Sequence, residues 1–120
     1  TVNGLDQMTR AGRFLWLDWA QAQVLDYQSQ PVNGRLWATA QHDGYRKLGL
    51  VHRRKVQWDG TGWQVEDEVY QQHAHPDMRE SNVMLHWLLP DWPWEILEEN
   101  LPRLRLHAPF GRVELTLQAR

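Results

Sequence analysis

The stretch between residues 42 and 52 carries side chains that could bind or react with a ligand. His42 and Tyr45 flank an Asp-Gly pair, in a segment expected to be a loop between two strands. Imidazole and phenol groups both donate and accept hydrogen bonds, so this pair could hold the hydroxyl groups of a sugar. The alternative is that Asp43-Gly44 makes the turn and Tyr45 packs over it. Both interpretations stay open on the sequence.

A second histidine, His52, lies in the next predicted strand, on the same face as Arg54 and Val56. It is a candidate substrate-binding group, although a hydrogen-bonded histidine inside a sheet fits the pattern better. Arg53 and Lys55 alternate with it on the other face, where predicted glutamate partners favour a solvated surface over an anion site.

Eight tryptophans outnumber the three tyrosines and two phenylalanines. Burying one indole removes roughly 200 Å² from water, so most of these rings are expected in the core. Trp37 is the expected exception, because it lies on the face of Thr39 and Gln41 and not on the apolar face of its strand. It could stack on a sugar or contact another domain, and Trp92 and Trp94 are further candidates of the same kind.

The segment His73-Ala74-His75-Pro76-Asp77 has two imidazoles that would point to one side of an extended chain. Asp77 could add an oxygen ligand, but no further ligand is evident and Pro76 indicates a loop. No metal site and no cofactor are therefore predicted.

Hydrophobic residues recur with a period of two, which predicts antiparallel strands and an all-β, antiparallel β-sandwich fold. The alternation is clearest in residues 35–41, 83–89 and 112–118. Residues 13–19 and 22–28 are expected to form a strand pair or one bent strand. Residues 101–107 and 112–118 form a last hairpin, and residues 94–101 form either one short helical turn or an irregular strand.

The most specific structural prediction is a hairpin of residues 50–58 and 63–69 around Asp59-Gly60-Thr61-Gly62. A symmetric turn sets Trp58 opposite Trp63 and Val56 opposite Val65, which puts four apolar groups on one face. The same register places three further pairs opposite each other: Lys55 with Glu66, Arg53 with Glu68, and Arg54 with Asp67. The pair of Arg54 and Asp67 falls on the inner face, where removing one partner would be destabilising.

Composition narrows the class of protein. The 120 residues suit one domain, expected over residues 1–120, and 42% of them are hydrophobic, which argues against disorder. The net charge is −2 and the basic residues form no extended stripe, so no binding to nucleic acid is predicted. No apolar run approaches the roughly 18 residues of a membrane span, so no membrane partner is predicted. Cysteine is absent, which excludes disulfides.

Several motifs together resemble the heparinase II/III-like family of polysaccharide lyases. The family's C-terminal region carries H-D-G-Y, then an H-R-R strand, then an acidic V-x-D-E strand. The matching segments here begin at His42, His52 and Val65. The opening residues 1–7 resemble the segment after the family's H-N-T-V motif, and His86-Trp87-Leu88-Leu89-Pro90 resembles its later H-x-H-L-x-P strand. The resemblance thus runs in order through most of the chain.

The resemblance implies the C-terminal, supersandwich-like part of a larger two-part protein, packed against an N-terminal α-helical toroid. The substrate would be a uronate-containing polysaccharide, such as heparan sulfate, another glycosaminoglycan or alginate, cleaved by β-elimination in the periplasm or outside a bacterial cell. The family's catalytic tyrosine lies in its toroid, and its catalytic histidine lies upstream of H-N-T-V. No residue here matches either position, so the 120 residues alone are expected to be inactive.

Three hypotheses follow for this chain. It contributes to the substrate cleft and stability of a lyase, it binds carbohydrate as a module in its own right, or it is a purely structural domain. His42, Tyr45, Trp37 and His52 are the candidate substrate-binding residues, and no catalytic residue is assigned.

Overall fold

The computed structural model describes residues 1–72, 81–98 and 103–118. The chain divides into two compact units, Thr1–His86 and Trp87–Arg120. Within the described ranges all regular structure is strand except for one 3-10 turn, and every sheet is antiparallel, which confirms the expected all-β class. No helix there is long and apolar enough to cross a lipid bilayer. A single domain within a larger two-part protein stays a prediction.

The first unit is built on a four-stranded sheet of consecutive hairpins. Its strands, in both chain and spatial order, are β3 (Ala22–Val32), β4 (Arg35–His42), β5 (Leu50–Trp58) and β6 (Trp63–Gln71). Asn33-Gly34 joins β3 to β4 with φ of 51° and 75°. Positive φ at both central residues is the type I′ turn, whose twist matches that of the flanking strands. A 3-10 turn, Arg46–Leu48, lies between β4 and β5.

The predicted β5–β6 hairpin is confirmed residue by residue. Trp58 pairs with Trp63, and the three charged pairs lie opposite each other as expected. The two indole rings are tilted by 50° with centroids 5.4 Å apart. The turn is held by Asp59, whose Oδ1 accepts the backbone N–H groups of Thr61 and Gly62 at 2.8 and 2.9 Å. A bond from the Thr61 hydroxyl, together with these two backbone bonds, lowers the pKa of Asp59 to about 2.

Pairing across the sheet fixes which side chains share a face. His42 pairs with His52, and His52 pairs in turn with Val69. Because side chains alternate along a strand, His42, His52, Arg54 and Asp67 all lie on one face. Trp37 lies on the opposite face.

The expectation of a strand pair from residues 13–19 and 22–28 is wrong. Strand β2 (Trp16–Leu17) pairs with β1 (Thr9–Arg10), and β3 pairs with β4 instead. Asp18 has a φ of 57°, which turns the chain out of the extended conformation between the two segments.

The predicted strand at residues 83–89 is also wrong, since it is reduced to a bridge between Val83 and Val2. The opening segment reverses at Asn3-Gly4, with φ of 51° and 75°, so it can pair with only a few residues. Asn3 N–H donates to the Asn82 carbonyl at 2.8 Å, and Met84 N–H donates to the Thr1 carbonyl at 2.9 Å.

The buried cluster of the first unit consists of Val2, Tyr45 and Leu50, with Leu48 and Val69 packed against it. The expectation that most tryptophans lie in the core is wrong, because none is buried and five of the eight are exposed. Trp63 and Trp94 lie in strands at the edges of their sheets, where few neighbours can cover an indole.

The second unit contains a three-stranded sheet of β7 (Trp94–Glu98), β8 (Arg103–Ala108) and β9 (Gly111–Thr116). The last hairpin is confirmed, and residues 94–98 are a strand, not a helical turn. One face carries alternating charges, with Glu114 bonded to Arg103 at 2.8 Å and to Arg105 at 2.9 Å. Leu106 on the other face is buried.

Candidate functional site

The H-D-G-Y segment is held in place by the opening residues of the chain. A Cβ atom on Gly44 would lie 2.7 Å from the Cβ of Gln7 and 2.8 Å from its carbonyl oxygen. Real Cβ atoms do not approach other atoms so closely, so this crossing requires glycine. The loop is therefore fixed by a close backbone contact as well as by its own turn.

Asp43 ties the loop to the start of β3. Its Oδ1 accepts the Gln21 N–H at 2.7 Å, while its own N–H donates to the Gln21 carbonyl at 3.1 Å. Arg46 adds a longer contact of 3.4 Å to the same carboxylate oxygen. The carboxylate is thus engaged in building the loop.

Tyr45 lies in the buried cluster, with only 9% of its surface exposed. Its carbonyl oxygen accepts the N–H groups of Leu48 and Leu50, which closes the 3-10 turn. Burial, with the negative charge of Asp6, raises the pKa of the Tyr45 phenol. This position fits the interpretation in which Tyr45 packs over the turn.

A continuous chain of hydrogen bonds crosses three strands on the face of His42. Gly44 N–H donates to Nδ1 of His42 at 3.1 Å. Nε2 of His42 lies 2.9 Å from Nδ1 of His52, and Nε2 of His52 lies 2.7 Å from Oδ1 of Asp67. Arg54 completes the chain with two bonds to the carboxylate of Asp67, at 2.7 and 2.9 Å. We call these five residues the histidine relay.

The relay has one arrangement of hydrogens when both imidazoles are neutral. A backbone N–H can only donate, so Nδ1 of His42 is the acceptor and its proton lies on Nε2. That proton is donated to Nδ1 of His52, whose own proton therefore lies on Nε2 and is donated to Asp67. Every donor then points from Gly44 towards the carboxylate.

Electrostatics favour the neutral form of His42. Burial, opposed by the charge of Asp43 and assisted by those of His52 and Arg54, lowers the pKa of His42. Burial of the Asp67 carboxyl is outweighed by its bonds to Arg54 and His52, so its pKa is also lowered. The side chains of His52 and Asp67 are each 20% exposed, so water screens these interactions only in part.

A cleft of about 200 Å³ opens beside the relay. Its lining residues include four glutamines, one histidine and one aspartate: Gln21, Gln23, Gln41, Gln72, His42 and Asp43. Strand pairing puts Gln23 and Gln41 on the face opposite the His42 side chain. Carboxamides donate and accept hydrogen bonds without carrying charge, which suits sugar hydroxyl groups. Both ring nitrogens of His42 are already bonded within the relay.

Trp37 is not a lining residue of the cleft and lies half-buried on the face opposite the His42 side chain. Its Nε1–H donates to Oδ2 of Asp26 at 3.0 Å, which fixes the ring. The same face carries a second polar cluster in which the Tyr70 hydroxyl donates to Gln41 and accepts from Nη2 of Arg53.

The structure thus brings His42 and His52 into contact and places the ring of Tyr45 5.9 Å from that of His42, but it leaves Trp37 apart. Residues 73–77 lie outside the described part of the chain. Within that part, no group of three histidine or acidic side chains is arranged to hold a metal ion. Sequence reasoning missed the contact of His52 with Asp67, although the confirmed pairing of Asp67 with Arg54 already put both on one face.

Comparison with known proteins gives one match. The family model described as Heparinase II/III-like, C-terminal, matches residues 1–118. No curated protein and no solved structure matches the chain. The match covers all the motifs whose spacing indicated this family.

Proposed function

Because the chain belongs to the heparinase II/III-like C-terminal family, we propose that it is the sugar-binding β-sheet part of a polysaccharide lyase. The substrate would be a uronate-containing polymer such as heparan sulfate or alginate, cleaved by β-elimination. The parent protein would work in the periplasm or outside the cell, where such polymers are met.

The observation that carries this proposal is the cleft of about 200 Å³ next to the family's H-D-G-Y loop, whose lining residues include four glutamines. A pyranose presents several hydroxyl groups in fixed directions, and amide side chains can pair with them in either sense. Gln21 and Gln72 both line the cleft. Gln21 comes directly before β3 in the chain, and Gln72 comes directly after β6. Their amides are the proposed contacts to sugar.

Proton abstraction would be done elsewhere in the parent protein. A general base needs an unoccupied nitrogen or oxygen within hydrogen-bond reach of the substrate proton. His42 and His52 have both ring nitrogens bonded inside the relay, and Tyr45 lies in the buried cluster. Their part in the reaction would be to hold the cleft in shape.

The test is a nuclear magnetic resonance titration of the 120-residue chain with a heparan sulfate tetrasaccharide and an alginate tetrasaccharide. Saturable shifts of the Gln21 and Gln72 side-chain amides are expected, with no release of unsaturated uronate by the chain alone. Gln72→Ala should weaken binding, whereas Gln64→Ala, which changes an exposed glutamine of β6 that does not line the cleft, should not. The absence of shifts with both sugars at millimolar concentration would contradict sugar binding.

A structural role is the second candidate, and it is favoured by the exposed apolar side chains around β2. Phe14 is 88% exposed and Trp19 is 70% exposed, with Leu15, Trp16 and Leu17 exposed between them. Such a patch is typical of a surface that another domain covers. The N-terminal α-helical toroid of the parent protein would be that domain. Co-expression of the toroid should then protect Trp19 from quenching by acrylamide, and unchanged quenching would oppose the docking role.

A further inference from the structure

Each contact from Gly44 to His42, from His42 to His52 and from His52 to Asp67 can hold one hydrogen atom. Gly44 fills the gap to Nδ1 of His42, and the two imidazole protons fill the next two gaps, at 2.9 and 2.7 Å. The backbone N–H of Gly44 can only donate a hydrogen bond. It therefore fixes the donor-to-acceptor direction of every hydrogen bond in the relay.

One added proton disrupts this chain wherever it binds the histidine pair. On Nδ1 of His42 it faces the Gly44 N–H, 3.1 Å away, so two donors oppose each other. On Nδ1 of His52 it faces the Nε2–H of His42 across 2.9 Å. Moving the His42 proton to its other nitrogen relieves the second conflict only by creating the first.

The charged groups around the pair decide where protons bind. Arg54 and Asp67 face His52 from β5 and β6, and Asp43 lies next to His42 in the loop. The Tyr45 ring packs near His42, and Asp6 faces the Tyr45 phenol. Arg54 holds both oxygens of Asp67, and these bonds lower the pKa of this carboxyl group, so it stays charged while His42 titrates.

We propose that the histidine relay is a proton-sensitive switch of the cleft: uptake of one proton by the His42–His52 pair releases Gly44 and loosens the H-D-G-Y loop, so that sugar binds more weakly in acid. Arg54, Asp67 and His52 are positioning residues for His42. The effect on sugar rests on the proposed function, whereas the effect on the loop does not.

The loop transmits the change because Gly44 is packed tightly. A Cβ atom there would meet Gln7 and His42 at less than 3.0 Å, so Gly44 cannot move without moving its neighbours. Asp43 on one side of it builds a wall of the cleft. Loss of the bond from Gly44 to His42 therefore reaches the cleft through Asp43, which bonds to Gln21.

The first experiment is nitrogen–proton correlation spectroscopy of the histidine rings and backbone of the 120-residue chain between about pH 8 and pH 5. At high pH, both His42 and His52 are expected as Nε2–H tautomers. On acidification the Gly44 amide signal should shift with the same midpoint as the His42 ring. An Nδ1–H tautomer at His42, or a Gly44 amide signal that does not shift with the His42 ring, would contradict the proposal.

A matched variant keeps the acceptor but removes the titration. In His42→Asn the amide oxygen replaces Nδ1 towards Gly44 and does not take up a proton in this range. Its Gly44 signal should be independent of pH. His86→Asn, an exposed histidine in the same unit, should leave the wild-type titration unchanged. A persisting Gly44 shift in His42→Asn contradicts the proposal, and the wild-type ring titration decides it even if this variant does not fold.

Sugar binding separates this proposal from the proposed function. With the alginate tetrasaccharide, Kd should rise about three- to tenfold per pH unit below the His42 midpoint, as linkage to one proton allows. A constant Kd beside a titrating Gly44 refutes the effect on the cleft while leaving sugar binding intact. Absence of binding at every pH refutes the proposed function, and the ring and Gly44 signals still test the loop.

Discussion

Arg54 grips both carboxylate oxygens of Asp67, with Nε 2.7 Å from Oδ1 and Nη2 2.9 Å from Oδ2. The same Oδ1 accepts the Nε2–H of His52. One carboxylate therefore anchors both the guanidinium of its own hairpin and the imidazole chain that leads to the loop. A bidentate interaction of this kind is stronger than a single ion pair, and it fixes the orientation of the Arg54 and His52 side chains.

Asp67→Asn should destabilise the chain. The substitution removes the charge that Arg54 requires and turns one acceptor into a donor, while the size of the side chain is unchanged. With the pair only partly buried, we expect the free energy of unfolding to fall by about 1–3 kcal/mol, measured by urea denaturation. Glu66→Gln, exposed in the same strand, is the control and should stay within about 0.5 kcal/mol of wild type. Equal effects of both substitutions would contradict the assigned role of Asp67.

Gly44→Ala should also destabilise, for a steric reason. Its new methyl group would lie 2.7–2.9 Å from two atoms of Gln7 and from Nδ1 of His42. Relief requires backbone movement, which lowers the free energy of unfolding by about 1–3 kcal/mol. Gly12→Ala is the matched control, because its methyl would meet only Leu15 Cβ at 3.8 Å, and it should be neutral or slightly stabilising. A neutral Gly44→Ala would show that Gln7 does not cross the loop so closely.

Stability should decrease in two stages as the solution becomes acidic. The lowered pKa of His42 means that the unfolded chain takes up this proton first, near the ordinary imidazole pKa of about 6.5. Its contribution is complete above that pH and is lost as pH falls through the lower folded pKa. Asp67, whose pKa is also lowered, contributes fully above about pH 4, and this is lost at lower pH.

The pH stages can be measured by urea unfolding at a series of pH values. His42→Asn should remove the upper stage and leave the lower one. If wild-type stability were the same at about pH 7 and pH 5, the burial of neutral His42 would be wrong.

Tyr70→Phe tests the polar cluster on the other face of the sheet. The Tyr70 hydroxyl donates to Oε1 of Gln41 at 2.7 Å and accepts from Nη2 of Arg53 at 2.9 Å. Arg53 Nε is already buried without a hydrogen-bond partner in the described part, so a second loss on the same side chain is unfavourable. The expected decrease in unfolding free energy is about 1–2 kcal/mol. Tyr27→Phe, on an exposed edge-strand tyrosine, should change it little.

The β5–β6 hairpin could be predicted because its information is local. Opposite charges, two tryptophans and one short turn all agree on a single register, and a shift by one residue would lose them together. The Asn33-Gly34 turn carried an equally local signal that would have paired β3 with β4. Reading that dipeptide would have prevented the wrong pairing of residues 13–19 with residues 22–28.

The contact between His42 and His52 could not be predicted in the same way. It depends on the register of β4 against β5, and the seven residues between them allow several registers before the 3-10 turn and the Gln7 crossing select one. Alternation at residues 83–89 failed for a related reason. A period of two predicts an extended chain but does not supply a partner strand, and here the partner is an opening segment that turns away after Asn3.

The tilted indoles of Trp58 and Trp63 give the chain a spectroscopic reporter of its own. Their centroids lie 5.4 Å apart across the first pair of the β5–β6 hairpin, close enough for the excited states of the two rings to couple. Coupled indoles produce a paired circular dichroism band that vanishes when either ring moves away. The closing of this hairpin could therefore be followed in stopped-flow refolding without attaching any dye.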